Sequence, residues 1–317
     1  YFDTAAGKDE VLARRIGRPY LEFMGLTYWA HGMMLFRADG LLPIRARQAV
    51  ELAERHGWGE DPLAGIAYTV LGGVLLYQGR LADAEPWLER AERTLRTEAE
   101  PAAGMSLRFA RGVLEVARGR YPQALSALEG AENLAGQLVR PHLMVASIRT
   151  RMVQALVRAG QAGRAAAILT GTDENERANA EARTAAAALQ LAGDDPQAAA
   201  DVLAPVLDGS VPGVRQVSMI TALLLQAAAR DALGDRAASG RALEQALDIA
   251  ESTGILLPFL LDPLPTQLER HRTAYPVLLA QILALLAAAR GPEGSPREAE
   301  GVWGERFPPN SRGARGG

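Results

Sequence analysis

Cysteine is absent from the 317 residues, and lysine occurs once, as Lys8. Without cysteine there is no disulfide framework, no thiolate zinc or iron–sulfur site and no cysteine nucleophile. With Lys8 the only lysine, the body of the chain has no phosphate-loop lysine and no Schiff-base lysine. Aromatics are scarce at 5%, alternating β-branched runs are missing, and alanine makes up roughly a fifth of the chain. That usage favours helix over strand. A dominant charge is lacking too: 34 basic against 37 acidic side chains leave a net charge of −3, which gives no electrostatic footprint for nucleic acid.

Long hydrophobic runs are also missing. The longest near the C-terminus, Tyr275 to Ala289, spans about 15 residues. It is too short for a bilayer and reads as a buried or amphipathic helix, apolar enough to support self-association. Tyr1 to Glu10 has no basic stretch followed by an apolar one, so no secretory signal is read. The expectation is a cytoplasmic chain, cut from something longer, with no membrane partner. Residues 291–317 are Gly/Pro/Arg-rich and aperiodic. Such a segment buries too little apolar surface to offset its ordering entropy, and disorder is expected there.

What is present is a repeat. A glycine is followed five positions later by a small residue and nine positions later by an apolar one. Gly79 leads to Ala84, Leu88 and Ala91, and Gly119 leads to Ala124, Leu128 and Ala131. Gly160 leads to Ala165 and Leu169, Gly193 to Ala198 and Val202, and Gly234 to Ser239, Leu243 and Ala246, with a weaker copy at Gly40. The spacing is about 40 residues, with one interval nearer 33. Such a period signals stacked supersecondary units. A helix precedes each glycine, as in Ile66, Val70, Leu71, Val74 and Leu75 at helical spacing. Glycine ends it without a Cβ clash in the left-handed conformation. The small residue of the second helix lets the two helices approach, and the leucine fills the space beside it. A lone pair cannot bury its apolar faces, so the pairs must stack. Helices are predicted over 19–38, 42–56, 63–78, 81–97, 102–118, 122–138, 141–159, 162–170, 174–192, 196–208, 214–233, 236–252 and 274–289.

This pattern resembles the tetratricopeptide repeat (TPR). With the turn glycine at position fifteen, the large residue at position four is Trp29 or Tyr68, and the small one at position eight is Gly72, Gly112, Ala186 or Ala227. Arg108 and Arg149 depart from the bulky position, and Met33 and Val153 from the small one. Ala53 to Leu95 then resembles the sensor arm of the large ATP-binding transcriptional regulators of the LuxR/MalT type, and Ala232 to His271, with its LLPFL segment, resembles the end of that arm. The resemblance implies an all-α, right-handed α-solenoid of stacked TPR-like helix pairs over 19–290. Residues 1–18 would be an N-terminal remnant or linker. It implies a small-molecule inducer or a regulatory protein as partner. ATP would belong only to an N-terminal domain, and no G-x-x-x-x-G-K-[ST] occurs here, so no cofactor is expected in this chain. A helix-turn-helix expected after Ala289 is missing or out of frame in 291–317, apart from a faint echo at Ser295 to Glu300. No specific DNA binding by this chain alone is expected. A free-standing TPR adaptor is the alternative.

Catalytic and metal patterns are lacking. His31, His56, His142 and His271 form no metal spacing and read as surface or cap residues. Asp194–Asp195, between Gly193 and Pro196, reads as a helix N-cap. No G-x-S-x-G or H-E-x-x-H occurs, so neither catalytic nor metal residues are assigned and an enzyme is not expected. Gly72–Gly73 read as close helix packing, and Trp29, Trp58 and Trp87 as core or inter-repeat packing. Arg111, Arg118, Arg120, Arg140, Arg149 and Arg151 are interleaved with Glu115, Glu129 and Glu132, and read as a solvated mixed face. The remaining candidate is the inner groove lined by the first helix of each pair. The motif register places Thr69, Phe109, Thr150, Gln154, Arg158, Arg183 and Gln190 there as contacts for a polar ligand or a peptide.

Overall fold

The computed structural model describes residues 12–36, 41–97, 99–138, 142–172 and 174–290. Most of the N-terminal remnant (residues 1–11), the weak copy at Gly40, Arg140 and the tail 291–317 lie outside the described residues.

Every regular element among the described residues is helical. Helices follow in pairs: α1 (Pro19–Phe36) with α2 (Leu42–Arg55), α3 (Pro62–Tyr77) with α4 (Leu81–Thr94), and α5 (Pro101–Ala117) with α6 (Tyr121–Ala135). Then come α7 (Met144–Arg158) with α8 (Ala162–Thr170), the short α9 (Glu174–Ala178), α10 (Ala180–Ala192) with α11 (Pro196–Leu207), and α12 (Gln216–Ala232) with α13 (Arg236–Thr253). The first helices α1, α3, α5, α7, α10 and α12 stack in order on one another. The result is an α-solenoid of TPR-like pairs.

Local chemistry sets each pair. The glycine after α3 has φ +74°, and Arg80 N then donates to Leu75 O at 2.9 Å. The same six-to-one closure recurs from Trp58 to Ala53, Arg120 to Glu115, Gln161 to Leu156 and Asp235 to Arg230. These are Schellman endings, which need a left-handed residue just past the helix. Second helices begin on polar caps where the sequence supplies one: Asp195 Oδ1 accepts from Ala198 N and Asp235 Oδ1 from Ala238 N, each at 2.9 Å.

The fifth glycine is not the turn residue. Gly193 has φ −85°, and Asp194 takes the left-handed conformation at φ 64°, which aspartate tolerates better than most side chains. The register therefore moves by one. Ala199 and Leu203 are fully buried where Ala198 and Val202 were expected, and Ala187 replaces Ala186 at the small position. The predicted helix 174–192 is likewise two, because Asn179 turns extended at ψ 162° and caps Ala182 N at 2.8 Å.

Past α13 the chain turns inward. Gly254, at φ +71°, ends that helix, and Ile255 to Leu261 follow, all buried. Within this stretch lies α14 (Leu257–Leu261), then α15 (Pro265–Glu269) and α16 (Pro276–Arg290). Helix α14 packs against α5, α12 and α16, and Leu256 N donates to Tyr77 O at the end of α3 over 2.8 Å. A segment late in the chain thus lies across the inner face formed by early and middle repeats.

Candidate functional site

The inner helices bring polar groups into an otherwise apolar interior. On α7, Arg151, Gln154 and Arg158 share one face, at spacings of three and four residues. Arg151 Nη1 donates to Gln154 Oε1 at 2.9 Å, and Gln154 Nε2 donates to Asp262 Oδ2 at 3.0 Å. Arg158 Nη2 donates to Asp262 Oδ1 at 3.1 Å and to Leu261 O at 2.7 Å. Asp262 and Arg158 are each only 9% exposed at the side chain, so this ion pair pins the closing segment to α7 away from water.

A second cluster sits beside it. Arg215, just before α12, donates to Glu181 Oε1 from Nη2 at 2.7 Å and to Ser147 Oγ at 2.8 Å. Ser218 Oγ donates to the same carboxylate oxygen at 3.0 Å. Burial works against the ionised Glu181, but the charge and hydrogen bonds of Arg215 overcome it and hold the carboxyl below its usual range. Arg215 is likewise desolvated, yet Tyr77 and Glu181 hold its pKa above the ordinary value.

Between these clusters lies a cavity of about 40 Å³, room for two or three water molecules. Its lining is mixed: Met34 from α1, Leu76 from α3, Phe109 and Val113 from α5, Met144 from α7 and Leu257 from the closing segment are apolar. Ser106, Ser147, Arg151, Arg215 and Tyr77 supply the polar part of the same lining. A smaller recess continues past Arg151 and Arg215 to Glu181, Thr184 and Thr221.

The structure divides the groove residues expected from sequence. Phe109 lines the cavity and Thr150 the recess beyond it. Gln154 and Arg158 hold the closing segment. Thr69 is buried and donates to Gly65 O within its own helix. Arg183 donates to Ala178 O, and Gln190 is exposed; Thr69, Arg183 and Gln190 line neither space. Sequence reasoning missed Ser147, Glu181, Arg215 and Asp262. Asp262 did carry a signal: an acid inside the apolar run LLPFLLDP needs a partner if that run is buried.

The other candidates fall to structural roles. Arg111 forms a two-pronged pair with Glu92, Arg118 does so with Glu85, and Arg149 reaches Glu132 and Glu176. Arg120 lies 3.5 Å from Glu115. Trp58 packs between His56 and Phe23, Trp87 packs on Tyr68, and Trp29 is buried under Arg45. His271 faces Glu244, and His142 Nδ1 accepts from Met144 N at the start of α7. His31 is neither surface nor cap: it lies within α1, 3.0 Å from Ser106 Oγ, and burial lowers its pKa to about 4. Among the described residues no group of three or more His, Asp or Glu could hold a metal ion, and no helix is long and apolar enough to cross a membrane.

Fold and interior together define a class: an all-α array of tetratricopeptide-like helix pairs whose inner face is crossed by its own closing segment. The family model for the MalT-like TPR region matches residues 28–293, and the chain belongs to that family. No curated protein matches the sequence.

Proposed function

We propose that this chain is the sensor and protein-interaction arm of a LuxR/MalT-type transcriptional regulator, acting in the cytoplasm and without catalysis of its own. An inducer or a regulatory protein engages the inner face. Residues 254–262 transmit the event toward ATPase and DNA-binding domains outside this sequence. One observation carries the reading: the family match runs through the closing segment, and that segment lies on the inner face, held by Asp262 on Arg158 and Gln154. A ligand there shifts an equilibrium only through different affinity for two arrangements. Displacement of the closing segment, which is buried over Ile255 to Leu261 and bonded through Asp262, would be the second arrangement. A peptide adaptor would have to displace that segment first, which is why the sensor reading is preferred.

The test is hydrogen exchange on the purified chain during a thermal-shift screen of metabolites. A stabilising metabolite is expected to change exchange at Leu256 to Asp262. If every binder found leaves that segment untouched, or binds only the outer helices, the sensor reading fails.

A further inference from the structure

Among the described residues, Arg151 has no carboxylate within salt-bridge distance. The other described arginines of its sequence strip each have an acid within 4.0 Å. Arg151 has one hydrogen bond, to the neutral amide of Gln154. Its nearby acids are committed elsewhere: Asp262 to Arg158 and Gln154, Glu181 to Arg215 and Ser218. Among the described residues Arg151 is thus left without a carboxylate of its own, and arginine cannot shed its charge as lysine can. Arg151 is partly buried, and it lines both the cavity and the adjoining recess. Most of its five N–H donors are unused by the protein.

The mixed lining of the cavity specifies what would balance this charge. Arg151, Arg215 and Ser147 offer hydrogen-bond donors, while Met34, Val113, Met144 and Leu257 offer apolar surface. A single cation with no acid of its own calls for a monoanion. A planar two-oxygen acceptor fits the guanidinium fork. The apolar surface disfavours inorganic phosphate, which brings more charge and no apolar body. The present volume of about 40 Å³ takes the carboxylate itself. The apolar body needs Met34 and Met144 to re-pack, which unbranched thioethers do readily, or Leu257 to withdraw. Withdrawal of Leu257 would move the closing segment.

We infer that the cavity binds a small monocarboxylic acid with a short apolar body, its carboxylate on Arg151 and its tail between Met144 and Leu257. This deepens the sensor reading and rests on it, by naming the class of inducer.

The test is isothermal titration of the full chain with hexanoate and benzoate against the neutral hexanol and benzyl alcohol, in buffer free of organic anions. The carboxylates are expected to bind, and Arg151→Met to weaken them at least about tenfold, the effect of losing a charged hydrogen-bond donor. The variant should bring acid and matching alcohol to similar affinity. Comparing acid with alcohol on the unaltered chain needs no variant to fold. Equal binding of acid and alcohol, equal binding by Arg151→Met, or the same heat from chloride alone would overturn the carboxylate site. The first of these would leave a sensor for a neutral ligand standing. Absence of binding by all four probes would overturn the site as well, leaving the exchange experiment to judge the sensor reading separately.

Discussion

A single histidine carries a measurable pH dependence. His31 is partly buried within α1, and desolvation, with a smaller contribution from neighbouring His142, lowers its pKa to about 4. Its unfolded value is about 6.5. The folded state therefore binds fewer protons than the unfolded one between these limits. Stability from this source is complete above pH 6.5 and is lost as pH falls toward 4. The loss between pH 7 and pH 5 is about 2 kcal/mol. Burial lowers His142 as well, so it acts in the same direction. Urea midpoints at the two pH values should show this drop, and His31→Gln, which stays neutral and keeps a polar contact for Ser106, should remove most of it. An unchanged pH slope in the variant would place the titration elsewhere.

At the scale of the element, the repeat depends on how closely two helices approach. A Cβ at Gly72 would meet Leu88 Cδ2 at 2.7 Å, and one at Gly112 would meet Leu128 Cγ at 2.6 Å. Both leucines are fully buried, so neither can swing clear. Gly112→Ala is expected to destabilise by about 1–3 kcal/mol through overpacking, although alanine is the better helix former. A neutral or stabilising result in chemical denaturation would mean that α5 and α6 part without cost. This pairing was legible because its signals are local: turn glycine, small residue and leucine all lie within one hairpin. The slip at Gly193–Asp194 was not, since two adjacent residues could each take the turn and only packing of Ala199 and Leu203 decides between them. Helix α14 was hidden for another reason. Five residues are too few for a helical period, and what buries Phe259 lies in distant repeats. The same holds for the candidate site. Gln154 and Arg158 followed from the register of α7. Arg215 fell inside the predicted helix 214–233 but stands outside α12 at its N-cap position, and its partner Glu181 comes from another repeat.

At the scale of the whole molecule, the closing segment changes how the array should unfold. In an open solenoid each repeat touches only its neighbours, so a weak repeat loosens locally. Here α14 touches α5 and α12, Leu256 bonds the end of α3, and Asp262 bonds α7. These contacts join early and late repeats that the stack alone would leave independent. Phe259, 1% exposed, is the largest fully buried side chain of that segment. Replacing it with alanine should cost about 3–5 kcal/mol. The loss should also be widely felt: hydrogen-exchange protection should fall in α3, α5 and α7 as well as in α12 and α16. If protection falls only from α12 onward, the segment is a local cap and the early repeats stand by themselves. If it falls across the array, one short helix couples the repeats, and anything that lifts it from the inner face is felt throughout the chain.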